Sequence, residues 1–126
     1  MKKNVSIGLL GLGVVGSGVI KLIENNQEDL VHKLGCHIDV KGVLVRNLDK
    51  ARQVDVDKEI LTTDPNDILK NPEIDVIIEV MGGVVQAREY LLEAFSSKKH
   101  VVTANKDLIA LYGPELQEAA RQNGCD

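Results

Sequence analysis

Three groups of residues in this chain have the types and spacing to do chemistry. The first is Gly11-Leu12-Gly13-Val14-Val15-Gly16, a G-x-G-x-x-G pattern. It follows the apolar run Val5-Ser6-Ile7-Gly8-Leu9-Leu10 and opens a helix-like segment over residues 14–23. At a strand-to-helix turn each glycine has its own use. Gly11 permits the tight turn, Gly13 lets the backbone approach a pyrophosphate, and Gly16 lets the helix close on the sheet. The unpaired N–H groups and the positive dipole end of the helix then face the phosphates. A dinucleotide is the ligand this stretch implies. The second group is Arg46, with Lys50 and Arg52 nearby, at the end of the run Leu44-Val45-Arg46-Asn47. Dinucleotide sites that read the adenine ribose through a carboxylate place Asp or Glu there, whereas a nearby Arg accommodates the 2′-phosphate of NADP. No acid occupies positions 44–47, although Asp49 follows. A guanidinium offers a forked, permanently charged donor set to phosphate. The expected cofactor is therefore NADP(H), with NAD(H) also accepted as the alternative. The third group is Lys106, just after the apolar run at residues 100–103. An ammonium there can polarise a carbonyl oxygen or steady an alkoxide. It can equally hold a phosphate or carboxylate as a point charge.

The elements that must position these residues are legible as alternating short apolar runs and helix-like segments. Strands are expected over residues 5–10, 38–45, 59–62, 75–81 and 100–103. Helices are expected over 14–25, from 27 to a Gly35 cap, over 48–54, 66–70, 86–97, 107–111 and 115–123. Asp64-Pro65 offers an N-cap with proline at the first helical position, and Gly113-Pro114 reads as a break between the last two helices. Successive βαβ units with right-handed crossovers predict a Rossmann-type, doubly wound parallel α/β sheet of strand order 3-2-1-4-5. Residues 1–126 are expected to form one dinucleotide-binding domain. The chain stops where a further strand is due, so the expectation is a domain cut from a longer protein. Glu79 lies within the most apolar strand, near its carboxyl end. A carboxylate there either orients a ligand or satisfies backbone donors of neighbouring loops.

Composition narrows the partners. The chain has 44 % hydrophobic residues, one Phe, two Tyr and no Trp, so its core is aliphatic. A net charge of −4 does not favour nucleic acid or an anionic membrane surface. No uninterrupted apolar stretch suits a signal segment or a membrane span, and the cytoplasm is the expected location. Cys36 and Cys125 have no metal-type spacing, and they read as reduced thiols. His32, His37 and His100 fall in separate elements, so no metal site is expected. Ser17 sits among small residues of the first helix and is expected to pack rather than react.

Two further segments, Glu79-Val80-Met81-Gly82-Gly83 and Val101-Val102-Thr103-Ala104-Asn105-Lys106, follow the fourth and fifth strands. Together with the glycine turn and Val45-Arg46-Asn47, they resemble the nucleotide-binding domain of homoserine dehydrogenases over essentially the whole chain. The resemblance implies NAD(P)-dependent interconversion of L-homoserine and L-aspartate 4-semialdehyde, a step toward threonine, methionine and isoleucine. It implies a later catalytic and dimerisation domain, absent from this chain, through which the complete protein is a homo-oligomer. Matched by position, Leu12, Gly13, Val14 and Val15 belong to the pyrophosphate loop, and Arg46 lies beside the adenosine phosphate. Met81, Gly82 and Gly83 pass near the nicotinamide ribose, Thr103 also lies in the cofactor site, and Lys106 stands where cofactor and substrate meet. The glycine loop alone fits two other readings: a related NAD(P)-dependent oxidoreductase of a small amino acid or semialdehyde, and a non-catalytic nucleotide-sensing module.

Overall fold

β1 (Asn4–Leu10) is the strand on which the rest is built, because its residues from Ser6 to Leu10 are all buried. A computed structural model describes residues 4–46, 58–81 and 83–125. After β1 come α1 (Val14–Asn25), α2 (Gln27–Leu34), β2 (His37–Leu44), β3 (Leu61–Thr62) and α3 (Asn66–Leu69). β4 (Val76–Glu79), α4 (Val85–Ser96), β5 (His100–Thr103) and α5 (Lys106–Gln122) complete the order. The sheet has five strands in the order β3-β2-β1-β4-β5, and every pairing is parallel.

Successive side chains on a strand point to opposite faces, and here both faces are covered. Leu9 and Val43 pack with Ile20 of α1 on one side. Leu10, Leu44 and Ile77 pack with Ile68, Leu91, Phe95 and Leu108 from α3, α4 and α5 on the other. Burial on both faces explains why the strands read as continuous aliphatic runs rather than alternating ones. The register sets Thr62, Leu44, Leu10, Glu79 and Thr103 level with one another at the carboxyl edge. Chain order reverses between β1 and β4, so that edge carries the switch point at which open α/β sheets bind ligands.

Local signals end several helices as expected. Gly35 adopts φ 73° and donates its N–H to Val31 O at 2.8 Å, closing α2. Gly124, at φ 69°, and Cys125 close α5 with paired bonds from Gly124 N–H to Arg121 O (3.2 Å) and Cys125 N–H to Ala120 O (2.8 Å). Asp64 Oδ1 accepts the Asn66 N–H at 2.9 Å, so the Asp-Pro pair does start α3.

Three expectations change. The segments at 107–111 and 115–123 are one helix, α5, with Pro114 inside it. Leu108 and Gly113 are buried before the proline, and Leu116 and Ala120 after it. Burying each leucine contributes about 1.5–3 kcal/mol, which offsets the roughly 3 kcal/mol an interior proline costs. The third strand shrinks to Leu61–Thr62 because a 3-10 turn takes Lys58–Ile60. Beyond it Thr62 Oγ1 accepts the Asp64 N–H (3.0 Å) and donates to Asp67 Oδ2 (2.6 Å), turning the chain away. The fourth strand spans 76–79 rather than 75–81. Ladder-like bonds persist at both ends, from Asp75 N–H to Ser6 O (2.8 Å) and from Val80 N–H to Leu10 O (3.0 Å). The helix expected at 48–54 lies outside the described residues.

Candidate functional site

The glycine turn leaves β1 with Gly11 N–H donating to Leu44 O at 3.0 Å. Gly11 adopts φ +103°, and a Cβ on it would lie 2.9 Å from Met81 Cα. No L residue fits that position, for backbone and for space. A Cβ on Gly16 would stand 2.6 Å from Gly11 O, so the helix closes directly on the turn. Gly13 differs from both. It is the N-cap of α1 at φ −72°, ψ −153°, and a Cβ there would meet nothing within 4 Å.

The start of α1 is correspondingly bare. It has no acidic residue in its first turn and no side-chain cap. The helix closes with Ser17 N–H on Gly13 O at 2.8 Å. The N–H groups of Val14, Val15 and Gly16 have no carbonyl a turn earlier to reach. Leu12 is half-buried against the α1 side of the sheet, and Val15 is exposed. Ser17 is buried, and its Oγ donates to Leu12 O at 3.4 Å, so it braces the turn. Positive helix end, open space and glycine backbone together suit a doubly charged pyrophosphate.

At the same edge Glu79 is fully buried. Its Oε1 accepts the Met81 N–H at 3.1 Å, and its Oε2 accepts the Thr103 hydroxyl at 2.5 Å. Of the two uses open to Glu79, the structure places the carboxylate on neighbouring donors. Thr103 Oγ1 in turn accepts the Asn105 N–H at 3.0 Å. The Asn105 side chain then works at both ends: Oδ1 caps α5 by accepting the Leu108 N–H at 3.1 Å, and Nδ2 donates to Gly83 O. Gly83 has φ +77°. Lys106 is the first residue of α5, exposed, directly after this network. Sequence reasoning started this helix at Asp107 and so missed Asn105. The signal was present as an N-cap residue three positions before the buried Leu108.

Arg46 is exposed immediately beyond β2, where Val45 N–H donates to Thr62 O at 2.8 Å. Asn47, Asp49, Lys50, Arg52 and Gly82 lie outside the described residues. The sheet register therefore brings the glycine turn, Arg46, Met81, Gly83, Thr103 and Lys106 to one edge. Among the described residues no group of three or more His, Cys, Asp or Glu side chains is placed to hold a metal ion. Nor is any described helix long and apolar enough to cross a membrane.

A parallel sheet wound in this order, with a glycine turn at its switch point, defines a Rossmann-type dinucleotide-binding domain. Residues 11–126 match the family described as homoserine dehydrogenase, NAD binding domain, and the chain belongs to that family. It is 56 % identical over 124 residues to a homoserine dehydrogenase of Bacillus subtilis (strain 168), covering 98 % of this chain and 29 % of that protein. A homoserine dehydrogenase of Synechocystis is 51 % identical over 121 residues, covering 96 % of this chain and 28 % of that protein. The crystal structure of S. aureus homoserine dehydrogenase at pH 8.5 superposes with a TM-score of 0.91 at 43 % identity, covering 99 % of this chain and 31 % of that one. The chain thus spans less than a third of the length of these relatives.

Proposed function

We propose that this domain binds NADP(H) in preference to NAD(H), and that it forms the cofactor half of an enzyme interconverting L-homoserine and L-aspartate 4-semialdehyde. The observation that carries the reading is the uncapped start of α1 beneath Gly13, where nothing stands within 4 Å of the missing Cβ. Gly11, Leu12, Gly13, Val14, Val15 and Gly16 hold the pyrophosphate through backbone N–H groups. Arg46 receives the 2′-phosphate with its guanidinium fork. Met81, Gly82 and Gly83 are the residues assigned to the nicotinamide ribose, and Thr103 belongs to the same site. A bound nicotinamide supplies the hydride acceptor or donor. Lys106 holds the substrate oxygen where negative charge develops, an interaction stronger in the transition state than in the ground state.

Residues that hold homoserine belong, in this reading, to chain beyond these 126 residues. That later region also joins the complete protein into a homo-oligomer. The partners are a dinucleotide and a small-molecule substrate, not nucleic acid or membrane. The setting that goes with this reading is the cytoplasm.

Calorimetric titration of the chain with NADPH and NADH tests the reading. NADPH binds the more tightly, and Arg46→Ala removes that advantage. One charge-assisted contact contributes about 1.5–3 kcal/mol, or roughly tenfold to a hundredfold in affinity. NADH affinity stays unchanged, and these residues by themselves show no turnover. Absence of heat with either coenzyme, on folded protein, overturns the proposal.

A further inference from the structure

The Glu79–Thr103–Asn105 network ties together two loops that the proposed cofactor site uses separately. One loop, after β4, contains Met81 and Gly83. The other, after β5, leads to Lys106. Strands β4 and β5 are neighbours with Glu79 and Thr103 in register. Their polar side chains meet at the edge, where the buried carboxylate accepts the Met81 N–H from the first loop and the hydroxyl of Thr103, the last residue of β5. Asn105 then closes the circuit above them, because its amide donates to Gly83 O while its carbonyl oxygen caps the helix that begins with Lys106.

We propose that Asn105 is a positioning residue: its amide bond to Gly83 O, braced by Thr103 and Glu79, sets the nicotinamide-ribose loop and Lys106 at a fixed separation. The inference rests on the cofactor reading above and adds residues which that reading leaves aside. Two features make a purely local role insufficient. Capping α5 needs only the Asn105 oxygen, which a serine or aspartate supplies as well. The nitrogen is spent on a carbonyl 22 residues away, at a glycine whose φ of +77° is one that L side chains rarely adopt. Glu79, fully buried, has both carboxylate oxygens engaged with this circuit. Small displacements at a reacting centre are costly in rate and in binding, so a bond that spans the two loops controls both.

Asn105→Ser separates the two jobs of the side chain. A serine oxygen still caps the helix, but it is too short to span to Gly83 O. The variant is titrated with NADPH and with 2′-phosphoadenosine 5′-diphosphate, which lacks both the nicotinamide and its ribose. The expected result is a loss of roughly tenfold for NADPH, with the nicotinamide-free ligand and the melting temperature unchanged. Thr103→Val lowers NADPH affinity in the same way and also lowers the melting temperature, because the fully buried Glu79 carboxylate loses a donor; Thr103→Ser, which keeps the hydroxyl, restores both. Equal losses for both ligands, or no loss for either, overturn the positioning role. Should the wild-type chain bind neither ligand, the cofactor reading falls, and the backbone amide resonances of the ligand-free chain decide the network. Shifts at Met81 and Gly83 in Asn105→Ser uphold it, and shifts confined to residues 105–108 overturn it.

Discussion

Alanine at Gly13 and alanine at Gly11 should fail in opposite ways, although the two residues share one turn. A methyl group on Gly13 meets nothing within 4 Å, and its φ of −72° suits any L residue. Alanine is a poorer N-cap than glycine by about 0.5–1 kcal/mol. Reduced freedom of the unfolded chain returns about 0.4–1 kcal/mol. The folded state is therefore altered by less than about 1 kcal/mol, or roughly 3–5 °C in melting temperature for a chain of this size. The same methyl projects into the space assigned to the pyrophosphate. Lengthening even one charge-assisted N–H contact costs about 1.5–3 kcal/mol, so coenzyme affinity falls roughly tenfold to a hundredfold. Gly11→Ala meets the reverse situation. Its φ of +103° and the 2.9 Å approach to Met81 Cα are both hostile to a side chain. Strain of about 1–3 kcal/mol and a similar overpacking cost predict a loss of roughly 2–6 kcal/mol in stability. Thermal melts and calorimetric titrations with NADPH on both variants give the answer. Undiminished binding by Gly13→Ala, or a melting loss matching that of Gly11→Ala, refutes the assignment of the open space to phosphate.

Three other outcomes follow from the packing and the charges. Ile68 is fully buried on α3, and Cβ atoms on Gly8 and Gly42 would collide with it at 2.4 and 2.9 Å. Ile68→Ala should cost about 2–5 kcal/mol in urea unfolding, and a loss below about 1 kcal/mol would show that the sheet relaxes onto the cavity. Lys106→Ala, made in a full-length homoserine dehydrogenase carrying this domain, should lower kcat by roughly a hundredfold to a thousandfold without changing the melting temperature; unchanged turnover removes the lysine from the site. Arg88 donates through Nε and Nη2 to both Glu115 oxygens, the latter at 2.7 Å, and holds the Glu115 carboxyl below its ordinary value. Because the folded value is the lower one, this stabilisation is complete above the ordinary carboxylate range and fades as pH falls through the folded value. Glu115→Gln should flatten that part of the stability curve measured by urea midpoints, and an unaltered acid limb would count against the pair.

The sequence by itself determined the fold class, the strand order and the glycine turn. Each rests on a local signal: aliphatic runs of strand length, Gly35 able to take φ 73°, and glycines placed where β1 must turn into α1. The positions of Lys106 and Arg46 were legible for the same reason, since residues just past a strand fall on the carboxyl edge of such a sheet. Tertiary structure alone decided the partners of Glu79, the double duty of Asn105 and the continuity of α5 through Pro114. The Glu79–Thr103 bond joins residues 24 apart and the Asn105–Gly83 bond joins residues 22 apart. No periodicity or cap rule reaches across such a separation; only the lateral pairing of β4 with β5 brings those groups within a bond length of one another. Pro114 argued locally for a break, and the burial of Leu108 and Leu116 against the same core outweighed it.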